Sequence, residues 1–256
     1  MRTLLAIGIG MGDPEHLTLQ AVAALGRVDV VFSFDKGEEK AAQQRARREL
    51  CERFVAPRPY RWVEIADAAR DAAISSYAAR VDAWHERRLE HFEESVAREL
   101  GEGQTGAILV WGDPSLYDST LRLLERTQAR GNVAFEYEVI PGLSSPQLLA
   151  ARHKLALNRV GGAVQLTTGR RLAQRVPAEA DDVVVMLDGE CAFNQLPPDE
   201  FEIYWSAYLG SEHELSLAGR LADVKDEIER ARAAARAEHG WIMDIYLLRR
   251  VAPARG

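Results

Sequence analysis

The first half of the chain alternates short apolar runs with longer segments whose apolar residues recur every three or four positions. The apolar runs, ended by glycine or polar residues, predict strands at 4–9, 28–34, 106–111 and 133–140. The helical spacing predicts helices at 17–25, 38–54, 77–100, 116–130 and 145–153, with Gly26 ending the first. The charged residues of 38–52 indicate a solvated helix face. Strands that alternate with helices predict an α/β domain with a mostly parallel sheet.

The second half has a different pattern. Strands are predicted at 163–168, 183–187, 201–208 and 241–250, but only one long helix, from 221 up to Gly240, has a regular apolar spacing. Several strands per helix predict a second α/β domain with a mixed sheet. Asn158 and two glycines interrupt the pattern between the halves, so we expect domains at 1–157 and 158–256.

Composition narrows the class of protein. The 256 residues are 47% hydrophobic and 28% charged, which excludes disorder as the main state. The 32 basic residues do not exceed the 39 acidic ones, so the basic excess of a nucleic-acid binder is missing. No apolar run reaches the roughly 18 residues of a membrane span. Cys51 and Cys191 are too few for a disulfide framework or a zinc site, so we expect a cytoplasmic protein without a metal.

A glycine-rich loop, Gly8-Ile9-Gly10-Met11-Gly12, follows the first strand. Its glycines let the backbone turn sharply or approach a ligand closely. The loop is neither a dinucleotide fingerprint nor a phosphate-binding loop. It matches the G-x-G-x-G of the common S-adenosylmethionine-dependent methyltransferase fold, in which Asp35 would bind a ribose. A tight structural turn explains the glycines equally well.

Three further motifs follow predicted strands. Residues 111–117 (WGDPSLY) and 138–145 (EVIPGLSS) each lead from a strand into a helix, and residues 186–190 (MLDGE) end a strand in the second half. Ligands bind beyond the carboxyl ends of strands in open α/β sheets. Asp113 and the serines of the second motif are also good helix caps, and Asp188 with Glu190 is also typical of a turn.

The first three motifs, in this order, resemble those of the tetrapyrrole methylase family: G-x-G-P-G followed by Leu-Thr, then G-D-P-x-x-Y, then P-G-x-[ST]-S. Here Leu17-Thr18 supplies the Leu-Thr pair, and Met11 replaces the family's proline. Residues 111–122, 186–191 and 240–246 are most similar to members that methylate ring carbon 1 of precorrin-5 and release its acetyl group as acetate.

The resemblance implies a homodimer of two-domain subunits that bind S-adenosylmethionine in a cleft between the domains and release S-adenosylhomocysteine. It places Gly10, Met11 and Gly12 on the tetrapyrrole side. The cofactor-binding residues that it implies are Trp111, Gly112, Asp113, Leu116, Tyr117, Ser144, Ser145, Leu187 (or Met186) and Leu209 (or Gly210). The common methyltransferase fold, which would put the cofactor on residues 8–12, leaves the second and third motifs unexplained.

Two steps of the implied reaction make different demands. Methyl transfer needs alignment of an electron-rich ring carbon with the methyl group. Deacetylation needs an activated water, for which Asp35, Asp188 and Glu190 are candidate bases, and an oxyanion donor, for which Tyr117 is a candidate. A methylase acting at another ring carbon and a non-catalytic tetrapyrrole-binding protein remain alternatives.

Overall fold

Five parallel strands form the sheet of the amino-terminal half, in the order β3-β2-β4-β1-β5. The computed structural model describes residues 1–35, 41–55, 59–66, 76–175 and 181–251, without the side chains of 35, 41, 42 and 77–82. The strands are β1 (Arg2–Gly8), β2 (Val30–Asp35), β3 (Arg61–Ala66), β4 (Thr105–Val110) and β5 (Phe135–Ile140). The helices are α1 (Leu19–Leu25), α2 (Ala41–Phe54), α3 (Tyr77–Glu99) and α4 (Thr120–Arg130).

Each face of this sheet has its own apolar core. Successive side chains of β1 point to opposite faces, so Leu4 packs with residues of α3 and α4 while Leu5 packs with residues of α1 and α2. Phe92 of α3 is fully buried and packs edge-on against Phe32, with 6.0 Å between the centres of the two rings. A fully buried side chain of this size stabilises the fold by roughly 1.5–3 kcal/mol. Because helices cover both faces of this sheet, the side chains of β1 and β4 are buried on both sides, and these two strands are almost continuously apolar.

The order of the strands creates a switch point between β1 and β4. The chain leaves β1 toward β2 on one side and leaves β4 toward β5 on the other, although β1 and β4 are neighbours. Connections that diverge in this way open a crevice at the carboxyl ends of the two strands, which is where open α/β sheets bind ligands.

A mixed sheet, in the order β6-β7-β10-β8-β9, forms the carboxyl-terminal half. Only β6 and β7 are parallel, and the other neighbours are antiparallel. Trp205, Phe193 and Tyr246 lie in its core. The strands are β6 (Val164–Thr168), β7 (Asp182–Met186), β8 (Phe201–Ala207), β9 (Leu215–Arg220) and β10 (Asp244–Arg250), and the helices are α5 (Ser145–Arg152), α6 (Gly169–Gln174) and α7 (Leu221–His239).

The predicted fold class, a parallel sheet followed by a mixed sheet, is confirmed. Strands β3 and β9 and helix α6 were not predicted. Both missed strands lie at sheet edges with mostly exposed or half-buried side chains, so they lack a strong apolar pattern. The helix predicted from 116 begins only at Thr120, because residues 116–119 belong to the loop after β4.

Contacts divide the chain into two units, Met1–Leu143 and Ser144–Gly256. This division precedes α5, whereas the sequence places its boundary at 157/158, after α5. Helix α5 packs against β8 and β10, which explains why it belongs with the second unit. Within the described part of the chain, no helix is long and apolar enough to cross a membrane.

Candidate functional site

The loops after β1 and β4 join at the switch point. The backbone N–H of Gly112 donates to the carbonyl oxygen of Gly10 at 2.7 Å, and the N–H of Gly10 donates to the carbonyl oxygen of Gly112 at 3.3 Å. The glycine motif and the G-D-P motif, far apart in sequence, therefore form one backbone bridge beyond the sheet.

The loop after β5 closes against the same bridge. The N–H of Gly142 donates to Oδ2 of Asp113 at 2.9 Å. A Cβ atom at Gly8 would lie 2.6 Å from the Gly142 nitrogen, and one at Gly142 would lie 2.7 Å from the Gly8 carbonyl carbon. Contacts this short are not tolerated, so three backbones approach each other here because two positions have no side chain. We call this junction of Gly8, Gly10, Gly112, Asp113 and Gly142 the three-loop junction.

Asp113 ties the junction together with its carboxylate. Its Oδ1 accepts hydrogen bonds from the Ser115 N–H at 2.8 Å and from the Ser115 hydroxyl. Its Oδ2 accepts the hydrogen bond from the Gly142 N–H. Burial opposes ionisation, but the hydrogen bonds from Ser115 and Gly142 outweigh it and lower the pKa of Asp113. Asp113 therefore keeps a negative charge at neutral pH and positions the loops as well as offering charge to a ligand.

Trp111 packs behind the glycine loop. A Cβ atom at Gly12 would lie 2.6 Å from Cη2 of Trp111, and Gly12 has a φ of +99°, so only glycine fits. The indole Nε1 of Trp111 is buried and finds no hydrogen-bond partner within the described residues. A buried N–H without a partner is costly, so this donor is suited to a ligand.

Arg47 of α2 is a residue that the sequence did not single out. Its guanidinium lies 5.6 Å from the centre of the Trp111 ring, and its Nε donates to the Leu109 carbonyl at 3.2 Å. Burial lowers the pKa of Arg47 to about 10, although Asp118 opposes this shift. Arg47 is therefore an exception to the solvated face predicted for residues 38–52. Residues 38–40 lie outside the described chain.

Two predicted cofactor residues have an unusual backbone. Tyr117 and Leu187 have φ values of +51° and +53°, and their side chains are 46% and 66% exposed. Large residues rarely adopt the left-handed conformation, and such strain is concentrated at functional sites. Leu116, beside Tyr117, is half-buried.

Ser144 and Ser145 are buried at the start of α5. The Ser144 hydroxyl does not cap the helix backbone and instead contacts the side chain of Gln147. The capping explanation of this motif is therefore wrong for Ser144. Its hydroxyl donates to the side-chain oxygen of Gln147 and keeps lone pairs that can accept a hydrogen bond from a ligand.

The other predicted cofactor residues lie at one edge of the second sheet. Met186 pairs with Ile245, and Ala207 pairs with Asp244, so the ends of β7 and β8 meet across the start of β10. The side chain of Leu209 is buried, and the N–H of Gly210 donates to Glu214 at 2.9 Å. At position 209 only the backbone is therefore available to a ligand.

The candidate bases differ in their surroundings. Both oxygens of Asp188 are engaged, by the N–H groups of Glu190 (3.0 Å) and Ala192 (2.7 Å) and by the Tyr246 hydroxyl (2.6 Å). Asp188 is thus an internal acceptor that shapes its turn. Glu190 is exposed. Asp35 ends β2 opposite Ala66, at the carboxyl edge that also holds the three-loop junction, and its side chain lies outside the described residues.

Met11 of the glycine loop is buried, with 6% of its surface exposed. Where the family pattern has proline, this chain therefore places an apolar side chain inside the protein. Gly10 and Gly12 on either side have positive φ, so the loop keeps a glycine-dependent shape around Met11.

Comparisons with known proteins agree with this architecture. The sequence profile of the Tetrapyrrole (Corrin/Porphyrin) Methylases matches residues 3–225. The chain is 52% identical over 252 residues to a precorrin-6A synthase [deacetylating] of Sinorhizobium sp, covering 98% of this chain and 97% of the relative. It is also 32% identical over 146 residues to a precorrin-2 C(20)-methyltransferase of Sinorhizobium sp, with 56% and 54% of the two chains covered.

Solved structures show the same fold. A cobalamin synthesis related protein (CobF) of Corynebacterium diphtheriae superposes with a TM-score of 0.84 and 35% identity, covering 98% of this chain and 100% of that one. The uroporphyrin-III C-methyl transferase of Thermus thermophilus complexed with S-adenosylhomocysteine superposes with a TM-score of 0.56 at 19% identity, covering 96% of each chain.

Proposed function

The chain belongs to the tetrapyrrole methylase family, and we propose that it methylates ring carbon 1 of precorrin-5 and releases acetate, giving precorrin-6A. The predicted family membership and methyltransferase activity are confirmed. The observation that supports the specific reaction is the near full-length similarity to a precorrin-6A synthase [deacetylating].

The residues of the site fit S-adenosylmethionine. Gly112 has a φ of +75° and no side chain that could block a ligand, and the indole N–H of Trp111 is buried without a partner among the described residues. Asp113 offers a negative charge toward a cationic ligand, and Ser144 and Ser145 offer hydroxyls. When bound, the cofactor supplies an electrophilic methyl group on a sulfonium.

The protein contributes alignment to the methyl transfer. The three-loop junction fixes the backbone at Gly112 and Asp113 through bonds to Gly10 and Gly142, so little reorganisation is needed when a ligand binds. Tyr117 and Leu187, each within its own unit, have a strained backbone and an exposed side chain that is accessible to a ligand.

Deacetylation requires chemistry of a different kind. A base takes a proton from water, and the water oxygen bonds to the acetyl carbonyl carbon. The bond from that carbon to ring carbon 1 then breaks, so that acetate leaves and the electron pair of the broken bond stays on the macrocycle, available for the methyl transfer. We assign the base to Asp35, because it ends β2 at the edge of the three-loop junction and because the oxygens of Asp188 are already engaged. Tyr117, whose side chain is exposed, is the donor to the developing oxyanion.

The enzyme acts as a cytoplasmic homodimer in this proposal. Both described cysteines, Cys51 and Cys191, are free thiols buried in the cores, which suits a reducing compartment. Sedimentation of the purified protein is expected to give a species of twice the chain mass of 28.5 kDa.

Product mass tests the proposed reaction. The protein is mixed with precorrin-5 and S-adenosylmethionine labelled in its methyl group, and the tetrapyrrole is analysed by mass spectrometry. We expect gain of one labelled methyl, loss of the acetyl group and free acetate in solution. A methylated product that keeps its acetyl group points to a methylase of another ring carbon, and a bound but unchanged tetrapyrrole points to a binding protein.

The variant Asp35→Asn tests the assignment of the base. It is expected to release no acetate and to leave ring carbon 1 unmethylated, because an amide cannot accept the proton of water and the acetyl group then keeps its place on that carbon. Glu190→Gln, an exposed carboxylate changed in the same way, is the matched control and should give normal product. Normal deacetylation by Asp35→Asn would show that the substrate or bulk water supplies the base.

A further inference from the structure

A cavity of about 280 Å³ lies between helices α3 and α4 of the first unit, apart from the three-loop junction. Buried Leu89 and Leu123 form its apolar part. The remaining lining is polar or basic: His85, Arg88, Ser119, Arg122 and Arg126. We call this the α3–α4 pocket. No acidic side chain is among its described lining residues, so its charge is positive.

Arg122 and Arg126 are four residues apart on α4 and therefore lie on the same face of the helix. Like charges at this spacing repel each other in the absence of an anion. Arg122 is exposed and makes no ion pair within the described chain, whereas Arg126 pairs with Glu86 at the surface. One of the two guanidinium groups is thus available to a ligand without breaking an existing ion pair.

Arg88 is held in place at the back of the pocket. It is only 7% exposed, its guanidinium lies 3.9 Å from the centre of the Phe34 ring, and its Nη1 donates to the Ser119 hydroxyl at 3.2 Å. Ser119 stands at the N-cap position of α4, but its side chain makes no capping bond. The cation and the hydroxyl are therefore fixed toward the pocket by packing, which lowers the entropy cost of binding an anion.

The pocket belongs to the functional edge of the sheet. Phe34 lies next to Asp35 at the carboxyl end of β2, and Ser119 follows Asp113 by only six residues in the loop after β4. Arg88 contacts both Phe34 and Ser119, so the back of the pocket is connected to the two strand ends from which the candidate site is built.

We infer that the α3–α4 pocket receives a carboxylate side chain of the tetrapyrrole substrate, with Arg122 as its cationic contact and Arg88 with Ser119 at the back. This inference rests on the proposed function. The ligand chemistry is that of a planar oxyanion, which guanidinium groups bind with two parallel hydrogen bonds. Inorganic phosphate shares part of this chemistry, and the experiment separates the two sources.

The first test is the variant Arg122→Gln, which removes one positive charge at an exposed position. We expect tetrapyrrole affinity, measured by titration with precorrin-5 in the absence of S-adenosylmethionine, to fall about tenfold or more, as for loss of a charge-assisted hydrogen bond. The affinity for S-adenosylhomocysteine is expected to stay unchanged in calorimetry. Arg122→Lys should recover only part of the loss, because lysine keeps the charge without the bidentate geometry.

Arg98→Gln is the matched control, because it removes the same charge from the last turn of α3, at a residue that does not line the pocket. Its side chain is 65% exposed and, among the described residues, forms an ion pair only with neighbouring Glu99. We expect wild-type affinity for both ligands. Equal weakening by Arg98→Gln and Arg122→Gln would show a general effect of net charge and would overturn the inference, as would unchanged tetrapyrrole affinity in Arg122→Gln.

Competition with inorganic phosphate identifies the source of the anion. Phosphate that competes with precorrin-5 in the wild type, but less so in Arg122→Gln, supports the inference. Phosphate that binds through Arg122 without affecting precorrin-5 assigns the pocket to a free anion and overturns it. Failure of the proposed function is distinguishable, because a wild-type protein that produces no methylated tetrapyrrole is detected in the product-mass assay, independently of the Arg122 variants.

Discussion

At the scale of the residue, the site depends on the absence of two side chains. Gly142→Ala would place a methyl group against the Gly8 backbone and the Gly112 carbonyl oxygen, so the loops must separate. We expect S-adenosylhomocysteine affinity to fall at least tenfold, about 1.4 kcal/mol, in calorimetry. The thermal unfolding temperature should fall as well.

Gly131→Ala is the matched control for that substitution. Gly131 ends α4 with a φ of +71°, and a Cβ atom there would meet nothing within 4 Å. The change is expected to cost about 1–2 kcal/mol of stability through left-handed strain alone and to leave ligand affinity unchanged. If both alanine variants bind the ligand like the wild type, the three-loop junction has no part in binding.

The carboxylate of Asp113 makes the junction dependent on pH. Its folded pKa is lowered by the bonds from Ser115 and Gly142, despite burial. Such a group stabilises the fold above its unfolded pKa of about 3.9 and loses this effect as pH falls through the lower folded value. We therefore expect Asp113→Ala to lower the unfolding temperature from pH 7 to pH 5, with the difference from wild type shrinking toward pH 3. A difference that is constant down to pH 3 would contradict this role.

Residue roles were predictable where they depend on backbone shape and not where they depend on long-range contacts. Glycines at positions 8, 12 and 142 follow apolar runs, so a turn at each place could be expected from the sequence. Arg47 resembles any other basic residue of a charged helix, and its burial results from packing against Trp111. Asp188 resembles a catalytic carboxylate until its three donors are seen.

At the scale of the element, two helices begin at a hydroxyl residue with different consequences. The Thr18 hydroxyl accepts from the Ala21 N–H at 3.0 Å and so caps α1, whereas the Ser144 hydroxyl makes no such bond at α5. We expect Thr18→Ala to cost about 1 kcal/mol of unfolding free energy and Ser144→Ala less than about 0.5 kcal/mol.

Ligand binding should show the opposite order. Ser144→Ala is expected to weaken S-adenosylhomocysteine binding measurably, since it removes a proposed ligand contact. Urea unfolding and calorimetry on the same two variants provide both measurements. If Ser144→Ala lowered the unfolding free energy as much as Thr18→Ala and left the ligand affinity unchanged, Ser144 would be a helix cap and not a ligand contact.

Every strand in the interior of a sheet was predicted, whereas the edge strands β5 and β6 were predicted and the edge strands β3 and β9 were not. Strands β1 and β4 are covered on both faces and are therefore apolar throughout, while β3 and β9 have a neighbour on one side only and keep polar side chains. The glycines at the ends of α1 and α7 marked the helix ends correctly, at Gly26 and Gly240.

At the scale of the whole molecule, the sequence was sufficient for the two kinds of sheet and for the family, since both depend on patterns spread over the chain. The position of α5 depended on tertiary packing against β8 and β10, which no local pattern contains. The α3–α4 pocket likewise combines residues from separate helices, so the 28 arginines of the chain gave no sign of which ones face a common cavity.

A crystal structure of the protein with S-adenosylhomocysteine shows directly which loops bind the cofactor. The ligand is expected to contact the backbone at Gly112 and Asp113 and the hydroxyls of Ser144 and Ser145. Residues 8–12 should be free of it. A nucleoside lying on residues 8–12, with its ribose bound by Asp35, would contradict cofactor binding at Gly112 and Asp113. It would place the cofactor as in the common methyltransferase fold.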